Sequence, residues 1–169
     1  MRLRTFLQDD FQTIKNWITD ERTHAMWCAN LIKFPLEKEN FFSVIKDFGS
    51  RFGDSPFLVT EDNGNAVGFF FYSLNLETNE GMLKFVMVNP AMRGKGIGAK
   101  VLSLAAKYAF DLTKAGSLQL NVFPENIPAV KCYKRAGFIE RSTTPEAFFF
   151  KDEKWGRCNM VKVKEEVKI

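Results

Sequence analysis

Gly94, Gly96 and Gly98 alternate with Lys95 and Ile97 directly after Arg93. Glycine at every second place strips Cβ atoms from one edge of a loop, so backbone N–H groups can converge on an anion. Downstream, Gly98 to Lys114 carries Val101, Leu104, Ala105, Tyr108, Ala109 and Leu112 at helical spacing. The glycines therefore stand at a helix N-terminus, whose partial positive charge adds to that of Arg93 and Lys95. A pyrophosphate is the natural guest. A Walker loop is excluded, because Gly94-Lys95 is followed by Gly96 rather than Ser or Thr, and a dinucleotide fingerprint is excluded by the G-x-G-x-G spacing. For the glycines alone, a plain turn remains the alternative.

A second group narrows the choice: Asn126-Ile-Pro-Ala129-Val-Lys-Cys-Tyr133-Lys-Arg-Ala-Gly137-Phe138. With it the chain resembles the GNAT superfamily of acetyl-CoA-dependent N-acetyltransferases, closely over Glu80 to Phe138 and elsewhere by the order of elements. The family's loop pattern, (Arg/Gln)-x-x-Gly-x-(Gly/Ala), is met by Arg93, Gly96 and Gly98. Its second pattern, Asn-x-x-Ala-x-x-x-Tyr-x-x-x-Gly-Phe, is met throughout. The opening Arg2-Leu-Arg-Thr, the Asp-rich helix start and Trp17 resemble the branch that includes ribosomal-protein N-terminal acetyltransferases.

The resemblance implies an α/β (α+β) fold: a mixed, mostly antiparallel sheet of six to seven strands with about four helices, the fourth and fifth strands splayed. It implies that acetyl-CoA sits with its pyrophosphate on Arg93, Gly94, Lys95, Gly96, Ile97, Gly98 and Ala99. Its pantetheine would lie along Phe85, Val86, Met87 and Val88, where the amide of Met87 or Val88 would polarise the thioester carbonyl. Tyr133 would face the sulfur and protonate the leaving thiolate, with Asn126 and Ala129 completing the site. Asn126 could equally cap a helix. Many relatives carry a glutamate on the fourth strand as base; Met82 to Val88 has no carboxylate, which leaves Glu80, just upstream, or solvent. A missing base favours an α-amine, with pKa about 7.7–8.0, over lysine at about 10.4. Lys84 would either lower the acceptor's pKa or tuck under a helix.

These residues need elements to hold them. Arg2 to Leu7 reads as a strand, followed by a helix from Asp9 or Asp10 with Phe11, Ile14, Trp17 and Ile18 inward, then a helix over Leu36 to Phe48. His24 falls between those two helices and reads as structural. Phe57 to Thr60 and Ala66 to Leu76 make a hairpin, turning at Asn63-Gly64, two residues that tolerate positive φ. Met82 to Val88 reads as a strand covered on both faces. Gly116 would cap the long helix; Leu118 to Phe123, a helix over Ile127 to Ala136, and strands near Ala147 to Lys151 and Cys158 to Val163 follow, the last two joined at Trp155-Gly156.

Composition limits the remaining options. The chain has 169 residues, 46% hydrophobic and 26% charged, with eighteen Phe, which suits one domain over 1–169 with an aromatic core. The net charge of +4 is scattered, and Lys151 to Lys168 alternates in sign as a solvated face does. A nucleic-acid-binding domain would need a basic stripe with interleaved aromatics, which is missing. Three cysteines without CxxC spacing argue against disulfides and metal, and for a reducing compartment. Cys132 has no local partner to make it a nucleophile. No secretory leader or membrane-length apolar run is present, so a cytoplasmic protein is expected, monomeric or homodimeric. A CoA-binding module without efficient transfer is the competing reading.

Overall fold

Eighteen phenylalanines need a dry interface, and a seven-stranded sheet supplies it. The computed structural model describes residues 1–165; the end of the alternating charged stretch, 166–169, lies outside them. The strands are β1 (Arg2–Thr5), β2 (Ser55–Thr60), β3 (Ala66–Asn75), β4 (Glu80–Val88), β5 (Ser117–Val122), β6 (Ile139–Phe150) and β7 (Glu153–Val163). The α-helices are α1 (Phe11–Trp17), α2 (Glu21–Cys28), α3 (Lys38–Phe52), α4 (Ile97–Lys107) and α5 (Ile127–Arg135). The sheet order is β1-β2-β3-β4-β5-β7-β6, and only β4 and β5 run parallel.

One face packs against α1 and α3 through Phe6, Phe11, Phe41, Phe48, Phe69, Phe71 and Phe85. Rings meet edge to face, as their quadrupoles prefer: Phe6 on Phe69 at 5.3 Å and Phe71 on Phe85 at 4.9 Å. The other face packs Val101, Leu102 and Ala105 of α4 against Leu83, Leu118 and Leu120.

Several elements differ from the sequence reading. Helix α2 was not expected, and His24 lies on it rather than between helices; Asp20 starts it by accepting the Thr23 N–H at 2.8 Å. In the hairpin only Gly64 takes positive φ, at 91°, while Asn63 folds its side-chain oxygen onto the Asn65 N–H at 2.9 Å. The long helix leaves α geometry after Lys107, continues as a π turn over Tyr108–Leu112, and ends with Lys114, not Gly116, in the left-handed region. Strand β6 starts at Ile139, well before Ala147. It lies at the sheet's edge and is exposed on both sides from Ile139 to Ala147, so β7 pairing holds that part without apolar alternation. Phe150 at its end is buried against Trp155. Trp155-Gly156 sits inside β7, and the hairpin turns at Lys151-Asp152, with Lys151 at φ 50°.

Candidate functional site

Strand β4 carries the irregularity that makes the site. Leu83 faces the α4 side, whereas Phe85 and Met87 face the α1–α3 side, although strict alternation would put all three together. A bulge intervenes: Phe69 pairs with Met87 but Phe71 pairs with Lys84, so Phe85 and Val86 have no register partner on β3. Phe85 takes φ 52°, a conformation costing a non-glycine residue on the order of 1–3 kcal/mol. Burial among Phe48, Phe71 and Trp27 offsets that cost.

On the other edge, β4 pairs with β5 only from Glu80–Ser117 to Leu83–Leu120. Beyond that point β5 continues with β7 as far as Val122, and β4 continues with β3 as far as Val88. The two central strands therefore separate at the bulge, as the resemblance implied. Val86 and Val88 turn towards the α4 side of this gap.

At the end of β4, Asn89 accepts the Ala91 N–H at 3.0 Å and opens a short turn over Pro90–Met92. Gly94 and Gly96 follow at φ 75° and 74°, and a Cβ on either would meet nothing within 4 Å. Gly96 is the N-cap of α4 and brings no side chain to its free amides, those of Ile97, Gly98 and Ala99. Arg93 and Lys95 are exposed and enter no ion pair among the described residues. This arrangement can hold an anion.

Gly98 has a different reason to be glycine. It is already helical, and a Cβ there would lie 2.7 Å from Cys132 Sγ, so it sets how closely α4 approaches α5. Two neighbouring variants should therefore part company. Gly96→Val is expected to weaken CoA binding at least about tenfold, through a strained φ and a side chain in the anion's space, while circular dichroism stays parental. Gly98→Val should instead lower the Tm, because a β-branched residue there must displace the Cys132 side chain. Equal Tm losses would show that the first variant acts only on the fold.

Helix α5 presents Tyr133 to the cluster that holds Ile97, Leu120 and Val122, with Val86, Val88 and Cys132 packed against it. Asn126 caps α5 by accepting the Ala129 N–H at 3.4 Å, so the cap function expected of it is present. Burial, and then the neighbouring Cys132, hold the Tyr133 phenol well above its ordinary range. It stays protonated where a free tyrosine, at about 10, would ionise. The rate should accordingly show no alkaline limb from Tyr133 up to that pH, checked by comparing the pH profiles of parent and Tyr133→Phe. Burial also raises the Cys132 thiol, which keeps it from the thiolate form a nucleophile needs.

Glu80 is not brought to Tyr133. It is the first residue of β4, and its side chain lies with Gln119 on the face opposite Tyr133. There its carboxylate accepts from Arg141 at 2.6 Å, from Ser117 at 3.2 Å and from Gln119 at 3.2 Å. Lys84 points under α3, where it pairs with Asp54 and lies over the rings of Phe48 and Phe52. Asp54 is fully buried, and its Oδ1 has no partner. His24 is buried against Trp27, Phe34 and Cys28, and burial lowers its pKa. The sequence reading missed Trp27, whose indole N–H donates to the Phe85 carbonyl at 2.7 Å. No local pattern marks it, because its partner lies on β4.

Comparison with known proteins agrees with this geometry. Residues 11–138 match the family described as Acetyltransferase (GNAT) family. The spermine/spermidine N(1)-acetyltransferase of Bacillus subtilis is 32% identical over 81 residues, 44% of this chain and 53% of that protein. An uncharacterized N-acetyltransferase of Methanocaldococcus jannaschii is 37% identical over 95 residues, 52% of this chain and 41% of that protein. The matches thus span about half of those relatives' lengths. The fold is similar to that of the spermidine N-acetyltransferase of Vibrio cholerae solved with CoA and spermine. Its TM-score is 0.80 at 21% identity, over 96% of this chain and 94% of that one. With the family matched over most of its length and the sheet splayed at a β4 bulge, the chain belongs to the GNAT family of acetyltransferases.

Proposed function

We propose that the protein moves the acetyl group of acetyl-CoA to a primary amine by direct attack, with the whole described chain acting as one catalytic domain. One observation carries the reading: the gap between β4 and β5 opens between an uncapped helix N-terminus and the buried phenol of Tyr133. The amides of Ile97, Gly98 and Ala99, with Arg93 and Lys95, would hold the pyrophosphate. Pantetheine would follow Phe85 to Val88. The amine nitrogen attacks the carbonyl carbon, the C–S bond breaks, and Tyr133 gives its proton to the departing sulfur. The proton lost by the amine goes to water, and water restores the phenol. Glu80, held by Arg141, supports solvent as the acceptor of that proton rather than a strand carboxylate.

For the acceptor we favour an amine of low pKa, such as an α-amine. Around the gap, the face opposite Tyr133 offers Gln119, Asn121 and Asn159, linked to Arg141 by hydrogen bonds. The carboxylate that β4 contributes there is bound by the same arginine, so a polycation gains little from it. Spermidine and spermine, named for the relatives, are the second reading. The free thiols of Cys28, Cys132 and Cys158 support a reducing, cytoplasmic setting. The test is release of CoA thiol from acetyl-CoA with α-amino peptides, spermidine, spermine and a lysine side-chain amine. Tight CoA binding with no turnover on any of them would replace the enzyme reading by that of a CoA-binding module.

A further inference from the structure

Trp27 is bonded to the one peptide of β4 that the sheet leaves without a register partner. Phe85 and Val86 are skipped by β3, and β5 has already departed after Leu83. The peptide between them has its carbonyl engaged by the Trp27 indole at 2.7 Å. A trans peptide directs its N–H opposite to its C=O. Trp27 comes from α2 and packs with Phe69 and Phe85 on the α1–α3 side of the sheet. The Val86 N–H is therefore aimed away from α2, towards the side on which Val86, Val88 and Tyr133 share one cluster. A carbonyl left unbonded in this position would let the peptide rotate, since no ladder holds it on either edge.

We infer that Trp27 is a positioning residue for acyl transfer: its indole N–H holds the Phe85–Val86 peptide so that the Val86 N–H meets the thioester carbonyl oxygen as charge develops there. The inference rests on the acyltransferase reading and moves the oxyanion donor from Met87 or Val88 to Val86. The contact also explains why α2 is needed beside a strand that already has its aromatic cover. The ring supplies packing on Phe69 and Phe85, but the N–H supplies direction. Those two contributions are separable by experiment.

The test uses the full chain with the N–H removed and the ring kept. Trp27 replaced by 3-benzothienylalanine preserves the bicyclic shape without a donor, and Trp27→Phe is the genetically simple counterpart. Loss of a whole oxyanion donor costs about 10²–10³ in kcat; a donor merely loosened should cost about 10–100-fold. The expected result is that fall in kcat for both variants. KM for acetyl-CoA, the calorimetric Kd for CoA, and the Tm of the benzothienylalanine protein should stay near parental. A benzothienylalanine protein with parental kcat would make Trp27 a packing residue and overturn the inference alone. So would a loss of kcat matched by an equal loss of CoA affinity. A parent that releases no CoA on any acceptor would overturn the acyltransferase reading, and this inference with it.

Discussion

Tyr133→Phe is expected to lower kcat by about 10²–10⁴-fold, the range for a positioned general acid, with KM for acetyl-CoA little changed. The substitution keeps the ring in its place against Phe138 and removes only the hydroxyl. No described protein group donates to or accepts from that hydroxyl through a side-chain hydrogen bond, so its loss leaves no partner unsatisfied and should cost little stability. The kinetic signature is specific. A group acting only on the leaving sulfur lowers kcat and kcat/KM together. An acyl donor with a better leaving thiol should narrow the gap between parent and variant. An unchanged kcat would reduce Tyr133 to a member of the core.

Lys84→Met should destabilise the fold by about 3–5 kcal/mol, the usual cost of leaving a buried charge without its partner. Asp54 is fully buried, Lys84 is its only described side-chain partner, and its second oxygen is already unsatisfied. Adding Asp54→Asn should recover much of the loss, because it removes the stranded charge. Urea unfolding of the two single variants and the double would close the cycle. A Lys84→Met loss below about 1 kcal/mol would contradict a structural pair, since exposed ion pairs are worth that little. The same geometry bears on catalysis. Lys84 is turned under Phe48 and Phe52 of α3, so the variant, once folded, should leave the acceptor's pH profile where the parent has it.

The candidate anion-binding loop was legible in the sequence because its signals are local. Arg93 to Gly98 and Asn126 to Phe138 are each read within one segment, and the structure places Ile97 and Tyr133 in one cluster. Long periodic elements such as α3 and α4 were legible for the same reason. What escaped depends on partners distant in sequence. The Phe85 bulge needs β3 to define it, Trp27 needs the Phe85 carbonyl, and Lys84 needs Asp54. Helix α2, at eight residues, is too short for periodicity to declare it, although Asp20 ahead of Glu21 was a usable start signal. Only the end of strand β6, near Ala147, reads as strand, because the exposed edge from Ile139 to Ala147 needs no apolar pattern.

The four-residue parallel seam between Glu80–Leu83 and Ser117–Leu120 has a further consequence for how the chain assembles. Strands β2, β3 and β4 join through short turns, and so do β6 and β7, but the seam closes a separation of 37 residues. Loop-closure entropy makes such a contact late to form and early to open. The sheet thus behaves as two foldons hinged at this four-pair ladder, and the gap proposed for the cofactor lies at the end of it. A ligand spanning the gap touches both foldons, so its binding energy adds directly to the cost of separating them. Amide exchange should register this as protection gained along Leu118 to Leu120 when CoA is added, while the β2–β3 hairpin, inside one foldon, stays as it was.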